Sequence, residues 1–146
     1  MTTRTQISHA APEGYRKVNN LDAYVNSNLE SSLVNLVYLR ASLLNGCTYC
    51  VDSHSVDLAA EVDVRKVYSV TTWRESEFYS PRERAALALT ESITRIELGV
   101  SDEVWDAAAA QFSEKELADL VLAIGTINIW NRIAIPTRML PEPLAR

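Results

Sequence analysis

Residues 36–54 read Leu-Val-Tyr-Leu-Arg-Ala-Ser-Leu-Leu-Asn-Gly-Cys-Thr-Tyr-Cys-Val-Asp-Ser-His, and this stretch contains the main structural signal of the chain. Its apolar residues recur at helical spacing, which predicts a helix that begins at Ser31 or Ser32 and reaches residue 44. Gly46 breaks that helix, because glycine adopts the left-handed conformation that closes a helix without strain. A second helix is predicted from Cys47 to about Ala60. The stretch is therefore expected to form two consecutive helices with both cysteines at the junction.

Capping signals predict further helices on both sides of this pair. Ser80-Pro81-Arg82-Glu83 and Ser113-Glu114-Lys115-Glu116 are capping boxes, in which a serine and a glutamate satisfy the free amides of a helix start. No stretch alternates as a long strand would. The sequence predicts a compact all-α domain of about six or seven helices and no sheet. The predicted helices cover residues 15–28, 31–44, 47–60, 63–70 and 80–98, a short segment from 101, and residues 113–136.

Length and composition fit one globular domain spanning residues 1–146, with residues 1–13 as a loose polar segment. The chain has 4 Gly and 5 Pro, too few for a collagen-like or low-complexity protein. Its net charge is −5, from 14 basic and 19 acidic residues. This charge argues against nucleic-acid binding and against an anionic membrane surface. The N-terminus lacks an apolar core of signal-peptide length, so we expect a cytoplasmic protein.

The most apolar stretch runs from Leu117 to Ile135. It contains Asp119, Asn128 and Arg132, which argue against a lipid-spanning helix. A helix that is apolar around most of its circumference must be covered on nearly every side. It is either the central core helix or a helix buried between subunits.

The only two cysteines form Cys47-Thr48-Tyr49-Cys50, and His54 follows four residues later. The free amides and dipole of a helix start stabilise a thiolate there. Cys50 and His54 share a helix face, so His54 can polarise Cys50, and Cys47 is close enough to form a disulfide with it. Such a pair can attack a peroxide and resolve the sulfenic acid as a disulfide. Zinc binding is an alternative, although two Cys and one His leave a tetrahedral site one ligand short. A purely structural pair is the third interpretation.

With these residues in view, the chain resembles the alkylhydroperoxidase-D-like branch of the carboxymuconolactone decarboxylase family. The distinctive element is CxxCxxxH preceded by Arg-Ala-Ser-x-x-Asn-Gly. The similarity covers most of the chain, roughly residues 15–135. Beyond residues 36–54 it is carried by the stretches 73–76 (WRES), 80–91 and 129–132 (IWNR).

This resemblance implies an all-helical fold that assembles as trimers or hexamers, and a thiol peroxidase activity toward hydroperoxides. It implies that Cys50 attacks the peroxide, that Cys47 resolves the product, and that His54 helps to activate the attacking thiol. Family decarboxylases that act on a lactone generally lack the cysteine pair, so its presence favours the peroxidase branch.

One position departs from the family pattern. The proton relay of the family often includes a glutamate twelve residues before the first cysteine, and this chain has Asn35 there. An amide cannot accept a proton at neutral pH, and loss of a positioned base typically costs about 10²–10⁴ in rate. Either the protein is a weak peroxidase or another carboxylate takes part. The sequence offers Glu83 and Glu91, of which Glu83 is also explained by its capping box.

The sequence therefore predicts an antioxidant oxidoreductase that reduces hydrogen peroxide or organic hydroperoxides through a Cys47–Cys50 disulfide, with an unidentified thiol or dithiol electron donor. Two alternatives stay open: a lyase of the carboxymuconolactone decarboxylase type, and a non-enzymatic redox sensor. No glycine-rich phosphate loop is present, so we expect no organic cofactor, and no metal is assigned.

Overall fold

The computed structural model describes residues 4–145, which form α-helices joined by short turns. No strand occurs among these residues, so the all-α prediction is confirmed. Two 3₁₀ segments, Val70–Glu75 and Ile96–Leu98, lie between the helices. Residues 4–145 contain eight α-helices rather than six or seven: α1 (Ile7–Ala10), α2 (Pro12–Asn28), α3 (Ser31–Asn45), α4 (Thr48–Glu61), α5 (Val64–Ser69), α6 (Pro81–Thr94), α7 (Asp102–Ala109) and α8 (Glu114–Thr137).

The additional helix is α1, in the segment expected to be loose. Residues 1–3 of that segment lie outside the described residues. The remainder forms α1 and the first turn of α2, and the backbone amide of Arg4 donates to the carbonyl oxygen of Thr137 at 3.3 Å. This bond ties the N-terminal segment to the end of α8, a long-range contact that local sequence signals do not encode.

Two helix ends also differ from the sequence prediction. The helix predicted over residues 80–98 is divided, because Arg95 leaves the helical region (φ −100°, ψ 55°) and a 3₁₀ turn then leads to Gly99. Helix α8 ends at Thr137 instead of Pro136, a difference within the usual variation of a last turn. Both predicted capping boxes, at Ser80 and Ser113, are formed.

Helix α8 is the central element of the described chain. It packs against α2, α3, α4, α6 and α7, and Leu120, Ile124 and Ile127 are fully buried. It is also the one helix among the described residues that is long and apolar enough to cross a membrane by length and composition. The core helix of a compact domain meets the same criterion, and the five neighbours of α8 place it in that position.

The junction at Gly46 positions the cysteines against α3. Gly46 has φ +72°, a left-handed conformation that side-chain-bearing residues rarely adopt. The turn is closed by the amide of Gly46, which donates to the carbonyl of Leu43 at 3.3 Å, and by the amide of Cys47, which donates to that of Ser42 at 3.0 Å. The chain therefore reverses within two residues, Gly46 and Cys47, and α4 packs along α3 with Cys47 as its N-cap.

The capping box of α8 provides a test of how firmly the central helix is anchored. The side chain of Ser113 accepts from the amide of Glu116, and the Glu116 carboxylate accepts from the amide of Ser113 at 2.8 Å. We expect Ser113→Ala to lower the free energy of unfolding by about 1 kcal/mol, measured by urea denaturation. Ser113→Asp should retain most of the stability, since aspartate also caps helices. Equal losses in the two variants would contradict a capping role.

Candidate active site

The two cysteines lie together at the N-terminus of α4. Both are free thiols and buried, with 1% of Cys47 and 4% of Cys50 exposed. Cys47 is the N-cap residue, and its Sγ accepts a hydrogen bond from the backbone amide of Cys50 at 3.4 Å. A sulfur thus occupies the position where serine or aspartate usually satisfies the first turn of a helix. The predicted proximity of the pair is confirmed.

The surroundings shift the pKa values of the two thiols in opposite directions. Hydrogen bonds lower the pKa of Cys47 to about 7: the largest contribution is from the Cys50 thiol, and the Cys50 and Tyr49 amides and the Asn131 side chain add to it, against the opposing effect of burial. The pKa of Cys50 is raised, because its S–H donates to Cys47 and because it is buried. When the pair loses one proton, these shifts favour the thiolate on Cys47, whereas the sequence prediction placed the activated thiol at Cys50.

Cys50 and His54 open into one cavity of about 210 Å³. The cavity lies between α2, α4 and α8, and aromatic rings form much of its wall. Tyr15 and Trp130 meet there edge to face, with ring centroids 5.2 Å apart. Its lining comprises Tyr15, Asn19, Asp22, Tyr38, Tyr49, Cys50, Ser53, His54, Trp130, Ala134 and Met139. Cys47 is not part of this lining, so a molecule in the cavity meets the sulfur of Cys50.

The imidazole of His54 is held on two sides. The ring of Tyr38 packs edge to face against it with centroids 4.9 Å apart, and Tyr38 in turn donates to Asp22 at 2.6 Å. Nδ1 of His54 lies 3.2 Å from Oδ1 of Asn35. Burial lowers the pKa of His54, and the charges of Asp57 and Asp22 offset this only in part. The ring is therefore neutral at pH 7 and able to accept a proton.

The amide at position 35 connects His54 to a carboxylate that the sequence analysis missed. Nδ2 of Asn35 donates to Oε1 of Glu61 at 2.7 Å, and the hydroxyl of Ser31 donates to the same oxygen at 3.0 Å. A signal for this residue was present, since His54 and Glu61 are seven residues apart and so share one face of α4. The predicted helix ended at about Ala60, one residue short of it.

The two glutamates proposed from the sequence bind other partners. The Glu91 carboxylate accepts from Arg40 at 2.8 Å, from Nε1 of Trp73 at 2.8 Å and from Arg74 at 2.7 Å. Glu83 pairs with a lysine, Lys66, at 2.6 Å and completes the capping box of α6. Neither lines the cavities that contain His54. The structure thus brings Cys47, Cys50 and His54 together and gives Glu83 and Glu91 structural partners.

The buried side-chain amide of Asn131 forms hydrogen bonds next to the cysteine pair. Asn131 of α8 is fully buried, its Nδ2 donates to the hydroxyl of Ser42 at 3.0 Å, and its Oδ1 accepts from Asn45 at 2.8 Å. Its side chain also helps to lower the pKa of Cys47. The central helix thereby contributes a polar group to the site as well as apolar packing. Within residues 4–145, no three His, Cys, Asp or Glu side chains converge as a metal site would require.

The chain belongs to the carboxymuconolactone decarboxylase family, whose model matches residues 10–92. It is 36% identical over 138 residues to the uncharacterized protein YdfG of Bacillus subtilis, covering 92% of this chain and 94% of that protein. The family predicted from the sequence is therefore confirmed.

Solved structures agree with this assignment. A protein of unknown function from Agrobacterium tumefaciens, ATU0492, for which a role as the antioxidant defence protein AhpD has been suggested, is 36% identical and superposes with a TM-score of 0.93, over 98% of this chain and all of that one. The alkylhydroperoxidase AhpD core of a peroxidase-related protein from Ralstonia eutropha superposes with a TM-score of 0.81 over 93% of this chain and 74% of that one. At 20% identity the second match shows the shared fold alone.

The division of charge between the two sulfurs predicts a titration. Thiolate absorbance at 240 nm should rise with a midpoint near pH 7 in the reduced protein, because hydrogen bonds stabilise the Cys47 thiolate. Cys50→Ala removes the strongest of these bonds and should move the midpoint upward. Cys47→Ser should abolish the transition near pH 7. Its persistence in Cys47→Ser would assign the low pKa to Cys50 instead.

The contacts of Glu91 predict a structural rather than chemical effect of its replacement. Glu91→Gln removes the charge that joins Arg40 and Arg74, and we expect it to lower the free energy of unfolding by roughly 2 kcal/mol. Solvent screening at the exposed Arg74 keeps the loss to this size. Glu97→Gln, at an exposed position, serves as the control in urea denaturation. Unchanged stability with slower thiol oxidation in Glu91→Gln would instead indicate that Glu91 takes part in the proton relay.

Proposed function

We propose that the protein is a thiol-dependent peroxidase that reduces hydrogen peroxide or organic hydroperoxides through a Cys47–Cys50 disulfide. The observation that carries the proposal is the pairing of two buried free thiols at one helix start, with one of them facing a cavity beside a neutral histidine. Family membership and the antioxidant role suggested for the similar Agrobacterium protein support it.

The position of each sulfur supports a division of labour. Cys50 faces the cavity and is the sulfur that attacks the peroxide O–O bond. The attack forms a sulfenic acid on Cys50, and the alcohol (or water, from hydrogen peroxide) leaves. His54, which lines the same cavity, accepts the proton that the Cys50 thiol gives up when its hydrogen bond to Cys47 breaks, and it returns this proton to the departing oxygen.

Cys47 then completes the reaction as the resolving thiol. In the dithiol its pKa is about 7, so a large fraction is already thiolate at neutral pH before the peroxide reacts. It attacks the sulfenic sulfur, and the hydroxyl leaves as water with one proton from solution. One dithiol and one hydroperoxide thus yield one disulfide, one alcohol and one water. An external thiol or dithiol supplies the two electrons and two protons that restore the pair.

A redox sensor is the second candidate, and the amide at position 35 favours it. Asn35 contacts His54 but cannot take a proton from it at neutral pH. A sensor would form the same disulfide but would turn over peroxide negligibly with any dithiol. Assembly as a trimer or hexamer and a cytoplasmic location stay predictions from the sequence.

Stoichiometric peroxide provides the decisive test of the proposal. We expect one equivalent to remove two thiols and lower the mass of the peptide containing both cysteines by two hydrogens, with full recovery by a dithiol. Turnover is measured as peroxide consumed with excess dithiol. Disulfide formation with no turnover would establish the sensor.

Two single-cysteine variants separate the roles of the sulfurs. Cys50→Ser should abolish peroxide consumption, whereas Cys47→Ser should still react once and accumulate a sulfenic acid on Cys50 that a dimedone probe captures. Full activity in Cys50→Ser would overturn the assignment of the attacking thiol. If both thiols of the unaltered protein survive peroxide, the peroxidase proposal falls, and lactone substrates of the lyase alternative become the next assay.

A further inference from the structure

The side-chain amide of Asn35 links the carboxylate of Glu61 to the imidazole of His54. His54 contacts Asn35 at 3.2 Å, and Asn35 contacts Glu61 at 2.7 Å. Asn35 is 9% exposed, whereas Glu61 lies at the surface end of α4. The three side chains form a chain of hydrogen bonds from the half-buried imidazole to the solvent edge.

The chemistry of the three groups fixes the direction of every bond in this chain. An ionised carboxylate only accepts hydrogen bonds, so the NH₂ group of Asn35 must face Glu61. The carbonyl oxygen of the same amide must then face His54. Because that oxygen also only accepts, Nδ1 of the neutral imidazole must carry the proton. Nε2 is left with its lone pair, the form that can accept a proton from a thiol.

The location of Glu61 gives an independent reason to connect it with this bond. Glu61 is the last residue of α4, where the negative end of the helix dipole opposes a carboxylate. The side chain nevertheless reaches across to Asn35 and Ser31 of α3. Helix stability alone would favour lysine or arginine at this position.

We propose that Glu61 is a positioning residue that orients the amide of Asn35 and thereby holds His54 in the tautomer with its proton on Nδ1. The consequence for peroxide reduction rests on the function proposed above, whereas the tautomer does not. Asn35 then acts as a rigid connector that selects which ring nitrogen accepts a proton, and it need not carry a proton itself.

The tautomer is measured directly by long-range ¹H–¹⁵N correlation on uniformly labelled, reduced protein at a pH where His54 is neutral. A His9→Gln background leaves His54 as the only histidine. We expect the Nδ1–H form in this background and a shift toward the Nε2–H form or a mixture in Glu61→Gln. Asp57→Asn is the matched control, because Asp57 is a carboxylate near His54 that does not bind Asn35.

A double variant tests whether the carboxylate acts through the amide. Asn35→Glu with Glu61→Gln places a carboxylate next to His54 and an amide at position 61, and we expect it to restore the Nδ1–H form. An unchanged tautomer in Glu61→Gln, or an equal shift in Asp57→Asn, would overturn the inference.

Peroxide reactivity supplies the second readout. We expect Glu61→Gln to slow the first thiol oxidation roughly ten-fold, the lower end of the range for removing a partner that fixes a histidine tautomer. Glu97→Gln, at an exposed position outside the cavities that contain His54, should leave it near the unaltered rate. A protein that never consumes peroxide but shows the predicted tautomers would refute the peroxidase and keep the inference. A protein that consumes peroxide but has the same His54 tautomer in Glu61→Gln would keep the peroxidase proposal and refute the inference.

Discussion

The hydrogen bond from the amide of Cys50 to the sulfur of Cys47 is the contact on which the site depends. It exists because the left-handed conformation of Gly46 reverses the chain and leaves Cys47 as the cap of α4. A cap must satisfy the free amides of the first turn, and a sulfur satisfies them better when it is negatively charged. The same bond therefore helps to hold the helix start in place and lowers the pKa of the thiol that it involves.

Burial raises the free-energy cost of a charged sulfur, because a charge removed from water must be compensated by nearby polar groups. Around the cysteines, the compensation comes from the Cys50 thiol, two backbone amides and Asn131. Around His54, the effect of burial prevails over the nearby charges, lowers the pKa of the ring and keeps it neutral. Among the described residues, every buried side-chain nitrogen and oxygen has a hydrogen-bond partner. The site thus combines an anionic sulfur at Cys47 with an uncharged base at His54, about two helical turns away.

Local signals allowed much of this arrangement to be predicted from the sequence. Glycine at 46 and the serine-glutamate boxes at 80 and 113 determine helix ends through contacts within four residues, and the spacing of Cys50 and His54 places them on one face. Family resemblance supplied the roles of the side chains.

Features that depend on tertiary contacts could not be read in this way. The sequence offered Glu91 as a candidate for the proton relay, but Arg40 and Arg74 come from other elements to neutralise it. Which sulfur holds the charge depends on the direction of one shared proton. The partner of Asn35 depends on how α3 and α4 align, and its carboxylate lay just beyond the predicted helix.

The alignment of α3 and α4 around Gly46 has a consequence for how the site is assembled during folding. Ser31, Asn35, both cysteines, His54 and Glu61 all belong to one helical hairpin. Closing a hairpin across a two-residue turn costs little chain entropy, and local contacts of this kind form faster than contacts between distant segments. The reactive groups can therefore acquire their mutual geometry early, and the later docking of α2 and α8 adds the aromatic wall of the cavity.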